Sequence, residues 1–312
     1  MNITVIGAAG FIGTNLAMQL VENPNCKIKL VDKKREYFVD FMREHYTNVE
    51  IIESSLDNEK EFNKILKKQD IVYHLVSSTI PATSNQHIAQ ELATNVIFSA
   101  NMLDACVKND VKKVVFISSG GTVYGKENNC PLNEMTKTYP ISSYGIQKIT
   151  IEKLLYLYNY MYGLDYRVVR LANPYGPYQR PNGVLGAVTT FTYRALKDEK
   201  IIVYGDGSVI RDYIYIDDAI KAIINITFGE CEYRTFNVGC GYGTSINEVI
   251  DKIQNVLQKK LLVSYQKGRQ VDVPINYLDI SRYEKRYGVL STIDLNIGIE
   301  RTAEFLKKKY LI

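Results

Sequence analysis

The chain has 312 residues, of which 46% are apolar and 23% charged, with a formal net charge of +4. That is enough to bury a substantial core in one large α/β domain, or in a large domain plus a smaller one. The basic clusters, Lys33-Lys34-Arg35, Lys112-Lys113 and Lys307-Lys308-Lys309, are short and read as solvated surface, which argues against a nucleic-acid partner.

In chain order, the first half alternates apolar β-rich runs with amphipathic stretches. Strands are expected at Ile3-Gly7, Ile28-Asp32, Val49-Glu53, Asp70-Val76, Lys113-Ser118 and Tyr166-Leu171, with helices near 11–22, 58–68, 85–108 and 144–162. Near-continuous apolar strands separated by helices predict a parallel sheet covered on both faces, a Rossmann-type doubly wound α/β fold. After Leu171 the cluster Pro174, Gly176, Pro177, Pro181 and Gly183 marks a loop or crossover out of that sheet. Smaller elements follow: a helix near 184–198, a strand at Ile201-Tyr204, a helix after Asp217, and helices near 245–258 and 295–309. The expected division is a dinucleotide-binding domain over 1–172, with segments near 210–230 returning to it, and a smaller, mostly C-terminal α/β substrate domain over 173–312.

No run of 18 apolar residues could span a membrane, and Ile3 to Ile6 is strand-length rather than a secretory leader. Five cysteines (Cys26, Cys106, Cys130, Cys231, Cys240) lack C-x-x-C spacing, which speaks against a disulfide framework or zinc site and fits a cytoplasmic protein. His45, His74 and His87 show no ligand spacing either, so no metal is expected.

Two motifs carry chemistry. Gly7-x-x-Gly10-x-x-Gly13 follows a predicted strand and opens a predicted helix, where glycines let the backbone approach a pyrophosphate and the helix N-terminus offers N–H groups. Asp32 ends the second strand 19 residues after Gly13. A carboxylate there accepts both ribose hydroxyls of NAD and repels the 2′-phosphate of NADP, so NAD is the expected cofactor, although Lys33 and Lys34 soften the discrimination. The second motif is Tyr144-Gly-Ile-Gln-Lys148. Residues four apart share a helix face, so the Lys148 ammonium can sit beneath the Tyr144 ring and favour its phenolate as a general base for a hydroxyl. A chance Tyr and Lys on an ordinary helix is the competing reading.

With Asp70-Ile-Val-Tyr-His-Leu-Val76, Ile117-Ser-Ser-Gly-Gly-Thr-Val-Tyr-Gly125 and Arg170-Leu-Ala-Asn-Pro-Tyr-Gly-Pro177 added, the chain resembles the NAD-dependent epimerases/dehydratases of the extended short-chain dehydrogenase/reductase family, from Met1 to about Leu306. The resemblance implies that Gly7, Gly10, Phe11, Ile12, Gly13 and Asp32 cradle NAD, with Leu75 and Ser77 passing under it and Asn95 flanking it. It implies that Tyr144 and Lys148 are the catalytic pair, Lys148 also reaching the nicotinamide ribose. Asn173 would meet a sugar-nucleotide diphosphate. Arg211, in Gly205-Asp-Gly-Ser-Val-Ile-Arg211-Asp-Tyr-Ile-Tyr-Ile-Asp-Asp218, would contact the nucleotide phosphates, and Arg269 and Asp272 the nucleotide.

The catalytic hydroxyl is open between Ser119 and Thr122, because the position many relatives use holds Gly120; Ser118 reads as a strand-end residue bonding its own backbone. Ser55 stands where the family often has an adenine-binding Asp, and Val76 and Ser77 replace small alanines. The implied activity is a nucleotide-sugar 4-epimerase working through a 4-keto intermediate on UDP-glucose/UDP-galactose. Asn276, small where a bulky Tyr disfavours an N-acetyl group, extends this to the acetylated sugars. Glycines at 120 and 121, where related dehydratases carry acids, argue against dehydration. A uronate epimerase or decarboxylase is the enzymatic alternative, and a non-catalytic NAD-binding scaffold the remaining one. A homodimer is implied through helices near 90–108 and 144–162, where Ile151, Leu154, Leu155, Tyr158, Met161 and Tyr162 form a broad apolar face.

Overall fold

The computed structural model describes residues 1–38, 46–79, 84–126, 129–181, 186–268 and 273–312. In chain order the elements are β1 (Asn2–Ile6), α1 (Phe11–Val21), β2 (Lys27–Asp32), β3 (Val49–Glu53), α2 (Glu59–Leu66), β4 (Ile71–His74), α3 (Ile88–Leu92), a π-helical turn (Ala93–Ile97), α4 (Phe98–Lys108), β5 (Lys113–Ser119), α5 (Ser143–Tyr162) and β6 (Asp165–Leu171). There follow β7 (Asn173–Tyr175), α6 (Ala187–Leu196), β8 (Ile201–Tyr204), β9 (Ile210–Arg211), β10 (Tyr213–Tyr215), α7 (Ile216–Phe228), β11 (Thr235–Val238), β12 (Thr244–Ser245), α8 (Ile246–Leu257), β13 (Val263–Gln266), β14 (Ile275–Asn276), α9 (Ser281–Tyr287) and α10 (Leu295–Tyr310).

Seven strands form the main parallel sheet in the order β11-β6-β5-β4-β1-β2-β3. This is the doubly wound Rossmann-type fold. Strand β1 pairs with β2 on one side and β4 on the other, both parallel, so the winding reverses at β1. In such sheets ligands bind beyond the carboxyl ends of the strands at that reversal, and the glycine loop begins where β1 ends. The seventh strand, β11, was not anticipated. It joins through backbone bonds from Val168 N to Arg234 O and from Ala172 N to Val238 O, each 2.8 Å, which advance together along both strands as parallel pairing requires.

The chain divides into two compact units. The first comprises Met1–Ser118, Ser143–Val169 and Glu232–Thr235. Its core runs from Val72, Val114 and Phe116 on the sheet to Phe62, Ile65, Leu66, Met102, Leu103, Ile151 and Leu155 on the covering helices. Burying each such side chain contributes roughly 1.5–3 kcal/mol, which is what holds amphipathic helices against the strands. Helix α2 starts cleanly because the Asn58 side chain accepts the Glu61 N–H at 3.1 Å. The expected helix over 85–108 is interrupted at Ala93–Ile97, where the Asn95 side-chain amide competes for the Glu91 carbonyl at 3.1 Å.

The second unit comprises Ser119–Ser142, Arg170–Cys231 and Phe236–Ile312. Within it β12-β9-β14 form a small sheet, β10 pairs with β7, β13 pairs with β8, and α6 packs against α8 and α10. Helix α8 opens with a capping box between Ser245 and Glu248, and its Val249, Ile250 and Ile253 are buried. Residues 210–230 fall in this unit. Among the described residues no helix is long and apolar enough to cross a membrane.

Candidate active site

The first unit holds the glycine loop. Gly7 lies at φ +87°, and a Cβ there would come within 3.1 Å of the Leu75 and Val76 backbone, so only glycine keeps the loop this close to the end of β4. A Cβ on Gly13 would fall 2.7 Å from Ala8 Cα. Gly10 is the N-cap of α1 and supplies no side-chain cap, leaving the first turn's N–H groups for an anion. Asp32 lies beside this loop: its carboxylate accepts the Ala9 N–H at 3.0 Å and the Lys33 N–H at 2.8 Å. Phe11 and Ile12 are partly exposed on the first turn of α1. A cradle without space for a Cβ at Gly7 or Gly13, a helix N-terminus and an acceptor at the end of β2 fit a dinucleotide with unphosphorylated ribose.

Leu75 and Ser77 occupy the loop leaving β4, Leu75 N bonding Ile6 O at 3.0 Å and Ser77 Oγ donating to Thr79 O at 3.1 Å. Asn95 is buried, and its side chain accepts the Ser78 N–H at 2.9 Å while donating to Gln147 Oε1 at 2.8 Å, tying this loop to α5. Ser55 donates its hydroxyl to Asp57 in the loop after β3.

Helix α5 presents the Tyr144 and Lys148 pair. Its first turn is held by the loop before it in space, Tyr144 N donating to Ser84 Oγ at 3.1 Å and Ser143 N to Asn85 Oδ1 at 2.8 Å. Lys148 is buried, donates to Ile117 O at 2.9 Å and lies 5.4 Å from the Tyr144 ring centroid. Burial pulls its pKa down to about 8, against the opposing pull of the Glu152 carboxylate. Ser118 does not bond its own backbone as expected. Its hydroxyl donates to Glu152 Oε1 at 2.6 Å, because the strand end faces the helix bearing that buried carboxylate.

In the second unit, Ser119 ends β5 and Gly120 N bonds Leu171 O at 2.8 Å. A Cβ on Gly120 would strike the Leu278 side chain and lie 3.1 Å from Arg170 O, so this position has no room. Gly121 is different: a Cβ there would make only ordinary contacts, 3.9 Å from both Ser119 Oγ and Asn173 Oδ1. Thr122 Oγ1 is buried and has no hydrogen-bond partner among the described residues. Asn173 donates to Asp212 O through both its backbone N–H, at 3.0 Å, and its side chain, at 2.9 Å. Arg211 donates to Ile210 O at 2.8 Å and Val273 O at 2.6 Å, and pairs with Asn276 in the β9–β14 register. Arg269 and Asp272 lie outside the described residues. Beside them in sequence is a cavity of about 460 Å³ lined by Tyr204, Gly205, Ser208, Ile210, Gly268 and Ile275. Tyr204, at the end of β8 just before Gly205-Asp-Gly, lines this cavity and was not among the residues singled out from the sequence.

The family model described as the NAD dependent epimerase/dehydratase family matches residues 3–239. A UDP-glucose 4-epimerase from Thermotoga maritima, solved with UDP-glucose, is similar at 33% identity and a TM-score of 0.91, covering 99% of this chain and 100% of that one. A UDP-N-acetylglucosamine 4-epimerase from Methanobrevibacter ruminantium, solved with UDP-N-acetylmuramic acid, is 30% identical with a TM-score of 0.90, over 99% and 98% of the two chains. A UDP-glucuronic acid 4-epimerase from Bacillus cereus, solved with UDP-glucuronic acid and NAD, is 25% identical with a TM-score of 0.90, over 99% and 100%. With the glycine cradle, Asp32 and the Tyr144/Lys148 helix in place, the chain belongs to the NAD-dependent epimerase/dehydratase family, and NAD is its cofactor.

Proposed function

We propose that the chain is a nucleotide-sugar 4-epimerase that interconverts UDP-glucose and UDP-galactose and also turns over their N-acetyl forms. The observation carrying this reading is the glycine pair after Ser119: Gly120 packs against Leu278, and Gly121 lies beside Ser119 Oγ and Asn173 Oδ1. Dehydration across carbons 5 and 6 needs an acid and a base there, and neither residue has a side chain. A uronate carboxylate would equally find no side-chain donor at these two positions, which favours a neutral hexose.

In this mechanism Tyr144 removes the proton of the sugar 4-hydroxyl, Lys148 favours its phenolate and reaches the nicotinamide ribose, and Ser119 orients the hydroxyl, with Thr122 in reserve. Asn173 and Arg211 meet the diphosphate, the cavity beside Tyr204 takes the base, and Arg269 and Asp272 complete the nucleotide contacts. Gly7, Gly10, Gly13 and Asp32 hold the cofactor with Phe11, Ile12, Leu75, Ser77 and Asn95 around it. When bound, NAD supplies reversible hydride acceptance at carbon 4 and is regenerated each turnover. A homodimer through α4 and α5 belongs to the same reading, because Tyr156, Leu157, Tyr160 and Met161 are exposed on α5 and Ile97 is exposed on the π-helical turn that leads into α4.

Incubation with UDP-glucose, UDP-galactose, UDP-N-acetylglucosamine and UDP-glucuronate, without added NAD, tests it. Mixtures of 4-epimers are expected from the three neutral sugars. Conversion of UDP-glucuronate alone, or a dehydrated product, would overturn the proposal.

A further inference from the structure

Tyr144, Lys148 and Glu152 stand four residues apart along α5, so the three share one helix face. Lys148 and Glu152 are buried, at 6% and 7% exposure. The direct neighbours of the ammonium are neutral: Ile117 O accepts its hydrogen bond at 2.9 Å, and the Phe116 and Tyr144 ring centroids lie at 4.8 and 5.4 Å. Such groups solvate a cation only in part, so burial works against its charge.

His74, on β4, also feels the Lys148 charge. Ser99 Oγ donates its hydrogen to Asn95 O at 2.6 Å and therefore accepts from His74 Nε2 at 2.7 Å. That assigns the hydrogen to Nε2 and leaves Nδ1 bare, with no hydrogen-bond partner among the described residues. Burial, with the Lys148 cation second, drives the His74 pKa down to about 3, so His74 brings no second charge. Glu152 brings the opposite one. Its carboxylate is fixed by Ser118, the residue after the one whose carbonyl Lys148 binds.

On these contacts we propose that Glu152 is a positioning residue, the buried counter-charge that keeps Lys148 cationic beneath Tyr144, with Ser118 holding the carboxylate in place. This rests on Tyr144 being the base of the proposed epimerisation. Removing the carboxylate leaves a buried ammonium among neutral partners, which sheds its proton more easily and no longer favours the Tyr144 phenolate.

The test is kcat/KM for UDP-glucose against pH in wild type, Glu152→Gln and Glu152→Asp. In Glu152→Gln the alkaline limb, which belongs to the coupled Tyr144–Lys148 pair, should move down by on the order of one pH unit. Activity at high pH then falls about tenfold more than at neutral pH. Glu152→Asp keeps the charge one methylene further back, so its limb should lie between the two, and it serves the test if the Gln variant fails to fold. A loss by the same factor at every pH, or an unmoved limb in whichever variant folds, overturns the counter-charge alone. A wild type that epimerises no UDP-sugar overturns the underlying reading and this inference with it.

Discussion

The side-chain amide of Asn276 donates to the carbonyl oxygen of Gly120 at 3.3 Å, joining β14 to the glycine pair inside the second unit. Asn276 is 1% exposed, so a larger side chain there must take space from its surroundings. Asn276→Tyr is expected to lower kcat/KM for UDP-N-acetylglucosamine relative to UDP-glucose by about tenfold, or about 1.4 kcal/mol. The ratio is the readout, since overpacking alone costs about 1–3 kcal/mol of stability. An unchanged ratio would remove Asn276 from sugar selection.

Tyr144→Phe keeps the ring near Lys148 and deletes the oxygen that takes the proton. Turnover should fall by about 10²–10⁴-fold while NAD released on denaturation stays at the wild-type amount. Epimerisation at the wild-type rate would show that another group is the base.

Asp32→Ala removes the acceptor for ribose and two backbone anchors, Ala9 N–H and Lys33 N–H. Hydrogen bonds to a charged group contribute about 1.5–3 kcal/mol each, so NAD affinity should drop at least about tenfold. Discrimination against NADP should relax, because Lys33 and Lys34 remain. Titration calorimetry with both dinucleotides checks this, and an unaltered NAD/NADP ratio would count against Asp32 as the discriminator.

Asp212 is fully buried and accepts the N–H groups of Cys240, Leu278 and Gly241 at 2.7, 3.2 and 3.3 Å, yet burial outweighs them and pushes its pKa up to about 6. The unfolded group titrates near ~3.9, so the folded chain holds this proton more tightly. Its stabilisation is therefore fully present below pH ~4 and is lost as pH rises through about 6, an effect on the order of 3 kcal/mol. Asp212→Asn cannot ionise, so its melting temperature relative to wild type should climb between pH 4 and 7. A constant difference over that range would argue that the carboxyl does not titrate there.

Leu157 and Tyr160 are 43% and 79% exposed on α5. Leu157→Glu together with Tyr160→Glu should shift sedimentation from a dimer to a single chain that stays folded by circular dichroism, with a melting temperature that no longer rises with protein concentration. A wild type that sediments as a single chain at micromolar concentration would refute pairing through this helix.

The cofactor half was legible because its constraints are written in residue type. Only glycine suits the φ of Gly7 and the contact beneath Gly13, and the strands β1 to β6 read as apolar runs. The second unit was less so: β9, β12 and β14 are two residues long and exist through main-chain pairing, which leaves no period to detect. Helix α9 buries only Tyr283 among its seven residues and so shows no apolar stripe. Asn95 and Glu152 sit at helical spacings that anticipate a shared face, but their hydrogen bonds to Gln147 and Ser118 depend on elements 52 and 34 residues away.

The chain changes unit at Ser118/Ser119, Ser142/Ser143, Val169/Arg170, Cys231/Glu232 and Thr235/Phe236. No single cut can therefore release either half as an intact piece. A fragment ending at Val169 would lack Glu232–Thr235, and with them the backbone partner of Val168. Dividing the gene at one point is thus a poor route to an isolated cofactor-binding module, and shuffling between relatives would need to exchange several segments at once.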